Sequence, residues 1–595
     1  MLKIKKEIKN YLFFSFANIG LLSEAASSVI QVFYRRIIRL VGSAKSSHYP
    51  KRAGDLATIN LKIASHAYQH TDPLNVKTKL ITSLISLDFD SEINFKTLRF
   101  EDFSDPEILN SLNRWYWLVF DKKSLNKRTV SEGLHLVLSW ICSNPCENNL
   151  AWEPYASSER ISSFSTFYIL KKSFKDYKNE IGENIILKNF YKDTANLLTK
   201  SLEYYPNGIT YNHVINNLKG LVICAISIDQ RDLAVKSFNL LLKELDIVVD
   251  KDGFLREGSS HYQLIFCRWI CELSYFLKKS DNKVFHNKLN PFVKKVLGAT
   301  NFFLVTDEND SVTAIPLFGD LSPDFSVEWM TSYFMKDEHG NSSYGPKIVG
   351  ELKRDVDTER DGYISFNSYS RLKKGNWLIF IKHTDNDGAF YPSHEHQDFG
   401  AFVLFYKNRK VIIDRGRESY LLSHYNDQFC HSNSHNTVTI NDLSLTINSN
   451  NHYFSKTYKK ATLKKSVSSS DDWIKLSLTT NGTKRIGPNR FSDYKRVLLL
   501  KRRSVEVVDY VMGLKEFTSN CTFNFEADIK LSSLNKKSFN IDGPGVSLNI
   551  LSDSMDGEIQ KSSAVRSYMR STATDALLFT KESKLMKNSF FITEK

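Results

Sequence analysis

The chain has 595 residues, which exceeds what one hydrophobic core usually supports, so two or three domains are expected. With 40 Phe, 27 Tyr and 8 Trp, it is too rich in core-forming side chains to be intrinsically disordered. Lys and Arg number 80 against 66 Asp and Glu, and the formal charge of +14 favours an anionic partner. Because the basic residues are spread evenly, a polymer bearing carboxylates or sulfates is at least as plausible a partner as nucleic acid or a membrane.

The first 59 residues have two interpretations. Four lysines between positions 3 and 9 precede an apolar stretch at 11–22, which is the outline of a secretory signal. Against this, Glu24 and the amphipathic run 29–41 favour a helix that continues into the protein. We therefore assign 1–59 as an N-terminal helical or targeting segment. The periplasm or cell envelope of a bacterium is the favoured location, with the cytoplasm as the alternative. No other stretch approaches the ~20 apolar residues of a membrane span.

The seven cysteines are odd in number and scattered along the chain, so no disulfide framework is predicted. Cys267 and Cys271 lie one helical turn apart in an apolar stretch. We expect buried thiols there rather than a metal site, because no second ligand pair follows at the spacing of a zinc finger.

Residues 60–350 have the apolar spacing of helices. Apolar residues recur at intervals of three and four, and no alternating segments interrupt them, which predicts an all-α domain of paired antiparallel helices. The clearest examples are Leu187, Phe190, Tyr191, Ala195 and Leu198, followed by Leu218, Val222, Ala225 and Ile226.

Residues 351–595 have the texture of strands, and the charged stretch 346–361 marks the boundary. Short alternating segments are separated by Gly, Asn, Asp and Ser, which predicts an antiparallel β-sandwich. The predicted strands are 377–382, 401–406, 473–478, 496–500, 504–510, 521–525 and 546–551.

Two predicted helix starts carry polar residues that are suited to ligand binding or catalysis. Asn212 and His213 follow the break at 205–208 and open a helical segment, where the helix dipole favours a bound anion. The alternative is that Asn212 is simply a helix cap. Tyr262 lies in the first turn of a later helical segment that runs to Leu277, where the helix dipole can lower the pKa of a phenol. Its alternative is ordinary packing.

A histidine-rich constellation follows in the β half. His394 and His396 alternate with Glu395, so in an extended segment both imidazoles point the same way. A predicted hairpin over 399–413 brings Asp414 back towards them, and the alternating stretch 434–440 adds His435 on a third strand. Two imidazoles and a carboxylate form a common zinc ligand set. The alternative is a group of surface or core histidines.

The order of these motifs resembles the heparinase II/III family of polysaccharide lyases. The most specific element is His-x-His-x-Asp with the later Ser-His-Asn-Thr-Val, and weaker support comes from Trp152, Glu153, Pro154 and Tyr155 with Arg160. The motifs are Asn212-His213, Asp252-Gly253 with Glu257, Ser260 and Tyr262, Gly319-Asp320, His394-Glu395-His396-Gln397-Asp398, Asp414-Arg415-Gly416, and Ser434-His435-Asn436-Thr437-Val438. The resemblance implies an incomplete α/α toroid followed by an antiparallel β-sandwich, with the active cleft between them.

The resemblance also implies an activity: β-elimination on a polysaccharide that contains uronic acid, with no nucleic acid as partner. It implies catalytic roles for Asn212, His213, Tyr262 and His394, and a mainly structural zinc ion held by His396, Asp414 and His435. Elimination requires that the uronate carboxylate be neutralised, that a base take the C5 proton and that an acid protonate O4. Asn212 with His213 or His394 suits the first task. Tyr262 suits the last and could also be the base, with His213 as the alternative base.

One departure from the family pattern concerns charge. Arg415 stands where a small residue or proline is usual, and Arg417 follows it. These arginines suit a more anionic substrate, with Glu257 and Arg415 as predicted substrate contacts, or they form a plain surface pair. The identity of the substrate is therefore not predicted.

Two other functions remain open. Toroids of this kind also host glycoside hydrolases that use two carboxylates, for which Glu257, Asp320 and Glu395 are candidates. The third possibility is a glycan-binding protein of surface-polysaccharide assembly without turnover, against which the complete set of predicted catalytic residues argues.

Overall fold

The structure is a computed structural model, and it describes most of the chain after residue 104. The described residues are 53, 56, 78–81, 86–89, 95, 105–119, 127–146, 150–171, 181–204, 208–306, 312–334, 360–383, 394–420, 428–445, 462–486 and 490–595. The predicted segment 1–59, apart from Ala53 and Leu56, and most of the predicted boundary 346–361 lie outside these residues.

The amino-terminal half is helical, as predicted. Its α-helices in the described residues are α1 (Pro106–Asn113), α2 (Lys127–Ser143), α3 (Pro154–Lys171), α4 (Ile181–Lys200), α5 (Asn212–Ser227), α6 (Arg231–Val248), α7 (Ser260–Lys279), α8 (Lys283–Asn301) and α9 (Val327–Phe334). The prediction of an all-α domain was wrong in one respect. Two short antiparallel pairs occur here, β1 (Thr78–Ile81) with β2 (Ser86–Phe89) and β3 (Val305–Thr306) with β4 (Val312–Ala314). Strands of two to four residues are too short to show an alternating pattern.

Helices α5 and α7 form the centre of this half. Almost every residue of both helices is buried, because their sequences are apolar on all faces apart from a few polar positions. α5 packs against α3, α4 and α6. At Gly220 a Cβ atom would lie 2.9 Å from Ser158 of α3, so glycine permits the close approach of these two helices. No helix in the described part of the chain is both long and apolar enough to cross a membrane.

A buried charge network joins three of these elements. Glu159 of α3 accepts hydrogen bonds from Lys219 of α5 at 2.6 Å and from the Tyr116 hydroxyl at 2.9 Å, and it also pairs with Arg268 of α7. Burial alone would raise the pKa of Glu159, but Lys219 and Arg268 hold it at about 2.

The carboxyl-terminal half consists of two antiparallel sheets. The first has the order β5-β6-β7-β8-β9, with β5 (Gly362–Ser365), β6 (Tyr369–Lys374), β7 (Trp377–Lys382), β8 (Phe402–Tyr406) and β9 (Arg409–Ile412). The second has the order β11-β12-β13-β14-β19-β17-β16-β15, with β10 beside β14 and β18 beside β19. Its strands are β10 (Val438–Ile440), β11 (Leu463–Ser469), β12 (Trp473–Thr480), β13 (Tyr494–Lys501), β14 (Ser504–Asn524), β15 (Lys530–Asn535), β16 (Ser538–Gly543), β17 (Val546–Ser552), β18 (Asp556–Ser567) and β19 (Arg570–Glu594).

The five-stranded sheet is buried on both faces. One face, including Leu372 and Ile379, packs on the inner face of the ten-stranded sheet. The other, including Phe380 and Phe405, packs on phenylalanines of the helical half such as Phe302. All residues of β7 and β8 are therefore buried, and their sequences are continuous apolar runs rather than alternating ones. This sheet joins the two halves.

Most predicted strands are present, with three differences. The predicted strands 504–510 and 521–525 are one long strand, β14, which is interrupted only by a register shift between Met512 and Phe517. The segment with His394 and His396 is not a strand, and the predicted strand 434–440 begins only at Val438. Both histidine segments are held by backbone and side-chain hydrogen bonds to other loops rather than by a ladder, which the alternation of residue types does not reveal.

Replacing Glu159 by Gln removes the buried carboxylate that both Lys219 and Arg268 bind, and leaves Arg268 with the longer pairing to Glu272 at 3.7 Å. We expect the free energy of unfolding at neutral pH to fall by about 3–5 kcal/mol. The folded-state pKa of Glu159 is about 2 against an ordinary 4.5, so its contribution is present above pH 4.5 and is lost as the pH falls towards 2. Urea unfolding followed by circular dichroism at several pH values measures this. The difference in the free energy of unfolding between wild type and variant should narrow below pH 4.5.

The control is Asp246→Asn, which changes an exposed carboxylate on α6. It should alter the free energy of unfolding by no more than about 0.5 kcal/mol. If Glu159→Gln were as stable as the wild type at neutral pH, the network would not hold the helices together.

Candidate active site

Three separate stretches of chain meet where the helical half faces the five-stranded sheet. They are the start of α5, the loop that leads into α7, and the segment 394–398 that precedes β8. His394 donates its backbone N–H to the Glu257 carbonyl at 3.1 Å and accepts at its own carbonyl from the Asp320 N–H at 3.0 Å. At Gly258 a Cβ atom would lie 2.5 Å from Glu395 Cβ, and at Gly319 it would lie 2.4 Å from the His394 carbonyl oxygen. Both glycines have positive φ, so only glycine fits these crossings without strain.

Asp320 connects the two histidines of the His-x-His motif. One of its oxygens accepts from His394 Nδ1 at 3.0 Å, and the other accepts from His396 Nε2 at 2.9 Å and lies 3.5 Å from Arg417. Burial alone would raise the pKa of Asp320, but Arg417 and the two histidines hold it well below its ordinary value. The buried carboxylate therefore stays ionised and fixes the proton of His394 on Nδ1. The prediction that both imidazoles point the same way agrees with this geometry, although the segment is not a strand.

Asn212 is the first residue of α5, and Tyr211, not Asn212, is its N-cap. The backbone N–H of Asn212 donates to Glu257 Oε1 at 2.7 Å, so the buried Glu257 satisfies the start of the helix. Its Nδ2 atom lies 3.4 Å from His394 Nε2, and its Oδ1 atom is buried and has no hydrogen-bond partner in the part of the chain that the structure describes. The capping alternative is therefore wrong, and the amide is aimed at the histidine.

Tyr262 lies against His394 in the first turn of α7. Its ring stacks on the imidazole with centroids 3.6 Å apart and an interplanar angle of 11°. Its hydroxyl is 2.8 Å from that of Tyr420, which itself donates to the Leu321 carbonyl at 3.0 Å, so Tyr262 is the donor of the pair. Burial raises the pKa of Tyr262 well above its ordinary value. The prediction that the helix dipole lowers this pKa was wrong, because desolvation of the phenolate outweighs the dipole.

His213 stands at the open side of this group. Its Nδ1 atom donates to Glu203 Oε1 at 3.2 Å, and its ring contacts those of Tyr155 and Tyr211, at centroid distances of 4.4 and 4.7 Å. Its side chain is 31% exposed, whereas that of His394 is 14% exposed. Burial alone would lower the pKa of His213, but Glu203 outweighs it and the pKa lies above its ordinary value.

His396, Asp414 and His435 form a buried cluster that could hold a metal ion. One ligand atom from each residue lies within 4.8 Å of the others. Asp414 Oδ2 is 2.7 Å from His435 Nδ1. His396 Nδ1 and His435 Nε2 are buried and have no hydrogen-bond partner among the described residues. Two imidazole lone pairs beside a carboxylate fit a divalent transition metal. Cys430 and Asp320 form a second such group with the shared His396.

Glu257 and Arg415, the two predicted substrate contacts, bind other residues of the protein. The Glu257 side chain is fully buried and binds Asn212. The guanidinium of Arg415 donates to the Ser563 carbonyl at 2.9 Å, bonds Ser434, and lies over the Phe429 ring. Arg417 is the arginine on the side of the histidines, because it lies near Asp320 and over the Tyr420 ring.

Sequence reasoning did not assign roles in this arrangement to Asp320, Tyr420, Glu203 and Cys430. Asp320 had a weak signal, because it follows Gly319 in one of the motifs. Glu203, Tyr420 and Cys430 had none, since each comes from a stretch without a motif. Tyr420 meets Tyr262 across the two halves, whereas Glu203 contacts His213 within the helical half and Cys430 lies near His396 within the β half.

A family model described as "Heparinase II/III-like, C-terminal" matches residues 367–587. The chain is similar to the solved structure of heparinase III, with 15% identity, a TM-score of 0.63, and coverage of 85% of this chain and 80% of that one. It is also similar to heparan sulfate lyase HepC from Pedobacter heparinus, with 15% identity, a TM-score of 0.55, and coverage of 96% and 88%. A comparison with curated proteins finds no match. The solved structures share the predicted fold, a helical half followed by antiparallel sheets, and the family model matches the greater part of the β half of the chain.

Proposed function

We propose that the protein is a polysaccharide lyase that cleaves a uronic-acid-containing glycan by β-elimination and leaves a 4,5-unsaturated end. The observation that carries the proposal is the convergence of Asn212, Tyr262 and His394. These residues are far apart in the chain, yet the amide lies 3.4 Å from the imidazole and the phenol ring stacks on it at 3.6 Å. An amide, a phenol and an imidazole around one small volume are the groups that elimination requires.

The first task is to stabilise the charge that develops on the carboxylate as the C5 proton leaves. The Asn212 amide suits it, because it sits at the amino end of α5, where the helix dipole favours negative charge. Glu257 fixes the backbone of Asn212 at 2.7 Å and so holds the amide in place. A donor that is already oriented loses little free energy on meeting the enolate-like transition state.

The second task is removal of the C5 proton, for which His394 is suited. Asp320 keeps the proton of this imidazole on Nδ1, so the lone pair is on Nε2, the nitrogen beside Asn212. The electrons of the C5–H bond then form the C4–C5 double bond as the C4–O4 bond breaks.

The third task is to protonate O4, for which Tyr262 is suited. Burial keeps its pKa high, so the hydroxyl retains its proton at neutral pH and can donate it. The Tyr420 hydroxyl accepts this proton's hydrogen bond in the absence of a glycan, and the backbone N–H of Tyr420 donates to the Tyr568 hydroxyl at 2.8 Å. Because Tyr262 and His394 stack on each other, the proposed acid and the proposed base act on the same sugar ring.

We also propose that the metal ion held by His396, Asp414 and His435 is zinc with a structural role. The donor set of two imidazoles and one carboxylate suits zinc. When bound, the ion would fix the His396 ring, which donates through Nε2 to Asp320, and Asp320 in turn holds His394. The chemistry of elimination is assigned to the side chains alone.

The glycoside hydrolase alternative has less support. Hydrolysis needs one carboxylic acid that retains its proton and one carboxylate, both facing the sugar. Of the candidates, Asp320 is held ionised between two histidines, Glu257 is bonded to Asn212, and Glu395 lies 3.5 Å from Lys382. Their hydrogen bonds make them supports of the site rather than reactants.

The named activities of the similar solved structures make glycosaminoglycans the first substrates to test. Incubation with heparan sulfate, hyaluronan, alginate and bacterial capsule glycans should give ultraviolet absorbance from the conjugated double bond with at least one of them. Glycan cleavage that gives reducing ends without this absorbance would identify a hydrolase, and binding without cleavage would identify an assembly protein.

Replacing Tyr262 by Phe should lower kcat by roughly 100-fold or more, because the proton donor to O4 is lost while the stacked ring remains. The assay is the rate of ultraviolet absorbance on the best substrate. The matched control is Tyr275→Phe on the same helix, whose ring lies against Lys279 away from the site, and this variant should retain activity. If the Tyr262→Phe protein kept full activity, the assignment of the acid would be wrong.

Replacing His435 by Ala should remove most of the bound metal, because one of the two imidazole ligands is lost. Mass spectrometry of the purified protein should find about one zinc ion per wild-type chain. The matched control is His394→Ala, which removes an imidazole two residues from His396 but outside the cluster, and this variant should keep its metal. Equal metal contents in the two variants would contradict the assignment of ligands.

A further inference from the structure

His213 is the predicted catalytic residue whose role the site leaves open, as either a donor to the carboxylate or a base. Its Nδ1 atom is engaged by Glu203 at 3.2 Å, so Nε2 is the nitrogen that remains for a ligand. With 31% of its side chain exposed, His213 is more accessible than the other three predicted catalytic residues.

Glu203 is itself firmly held. Its backbone N–H donates to Asn217 Oδ1 at 3.0 Å, and Asn217 Nδ2 donates to Glu203 Oε2 at 3.0 Å. Asn217 lies one helical turn beyond His213 on α5. The carboxylate is therefore anchored on the same helix as the imidazole that it binds, and only Oε1 faces the ring.

The surroundings of His213 favour its charged form. Carboxylates from three elements act on it: Glu203 before α5, Glu153 before α3 and Glu257 in the loop that leads into α7. The centroids of the Tyr155 and Tyr211 rings lie 4.4 and 4.7 Å from that of the imidazole, and aromatic rings at such distances attract a cation. These contacts place the pKa of His213 above its ordinary value in spite of burial.

We propose that Glu203 is a positioning residue that holds His213 as an imidazolium, and that the Nε2–H of this cation binds the uronate carboxylate together with the Asn212 amide. This inference rests on the proposed function and makes it more specific. It assigns His213 to neutralisation of the carboxylate and removes it from the role of base. A charged donor beside a neutral amide stabilises the developing enolate more than two neutral donors would.

The two roles predict opposite pH dependences. An imidazolium that binds the carboxylate must be protonated, so kcat/KM falls as the pH rises through the pKa of His213. A base must be unprotonated, so kcat/KM would instead fall as the pH drops through the same pKa. Weakening the contact with Glu203 lowers this pKa, and the limb of the profile that moves identifies the role.

The test is Glu203→Gln, which keeps the shape of the side chain and its contacts with Asn217 but removes the charge. We expect the alkaline limb of kcat/KM to move to lower pH by about one pH unit, with a fall of about tenfold in kcat/KM at pH 8. Glu203→Asp, which restores the charge, should recover part of this loss. A shift of the acid limb instead, or an unchanged profile, would overturn the inference.

The pKa of His213 is measured independently of activity by NMR titration of histidine ring carbons, with His213→Asn identifying the signal. In the wild type it should lie above 6.5, the ordinary value, and it should fall in Glu203→Gln. The matched control is Glu153→Gln, which removes a carboxylate that acts on His213 only through space and should lower its pKa less. A wild-type value below 6.5 would overturn the inference.

The two proposals can fail separately. If the wild type eliminates no glycan while the His213 pKa behaves as expected, the proposed function fails and the Glu203 pairing stands as a structural fact. If the wild type is an active lyase and Glu203→Gln leaves both the profile and the NMR pKa unchanged, the function stands and the role given to Glu203 fails.

Discussion

The site depends on one buried carboxylate. Asp320 binds a candidate catalytic imidazole with one oxygen and a candidate metal ligand with the other, at 3.0 and 2.9 Å. A carboxylate accepts only, so each histidine must present an N–H to it: His394 presents its Nδ1–H and His396 its Nε2–H. The other two nitrogens are His394 Nε2, which lies beside Asn212, and His396 Nδ1, which faces the metal cluster. The Asp320 side chain thereby decides which nitrogen of each histidine carries the N–H that it binds.

Asp320 can bind both histidines because the backbone segments around it approach the segment that carries them very closely. Gly319, which precedes it, and Gly258, which precedes α7, occupy positions where a Cβ atom would collide with the segment that carries His394. Lys382, at the end of β7, donates to the Gly258 carbonyl at 2.9 Å and so ties the five-stranded sheet to the same loop. Because this sheet packs on the helical half with one face and on the ten-stranded sheet with the other, the site rests on three layers. Changes in the packing of any layer would reach the catalytic residues through these contacts.

Much of the fold was predictable because periodicity reports burial directly. The helical and strand halves, and the continuous apolar run of β7, are visible in the sequence. The identities of several site residues were predictable from motifs, but their electrostatics were not. A helix start predicts a lowered phenol pKa for Tyr262, yet the ring is enclosed by His394 and Tyr420, and desolvation reverses the direction. Likewise, the sequence did not distinguish Arg415 from Arg417, whereas the structure places Arg415 on Ser563 of β18 and Arg417 beside Asp320.

The net charge of +14 and the charge of the site have different consequences. Around the site the cations meet acids of the protein itself: Arg114 bonds Asp324 and Glu107, Lys382 bonds Asp398, and Arg417 lies 3.5 Å from Asp320. A cation that is already paired contributes less to a bound anion than a cation whose charge is not offset. The excess positive charge therefore acts chiefly at long range, where it raises the rate at which an anionic polymer encounters the protein. Under the proposed function, selection of the reacting sugar falls to the polar groups at the centre, where the partly exposed His213 and the buried Asn212 amide are the proposed donors to its carboxylate.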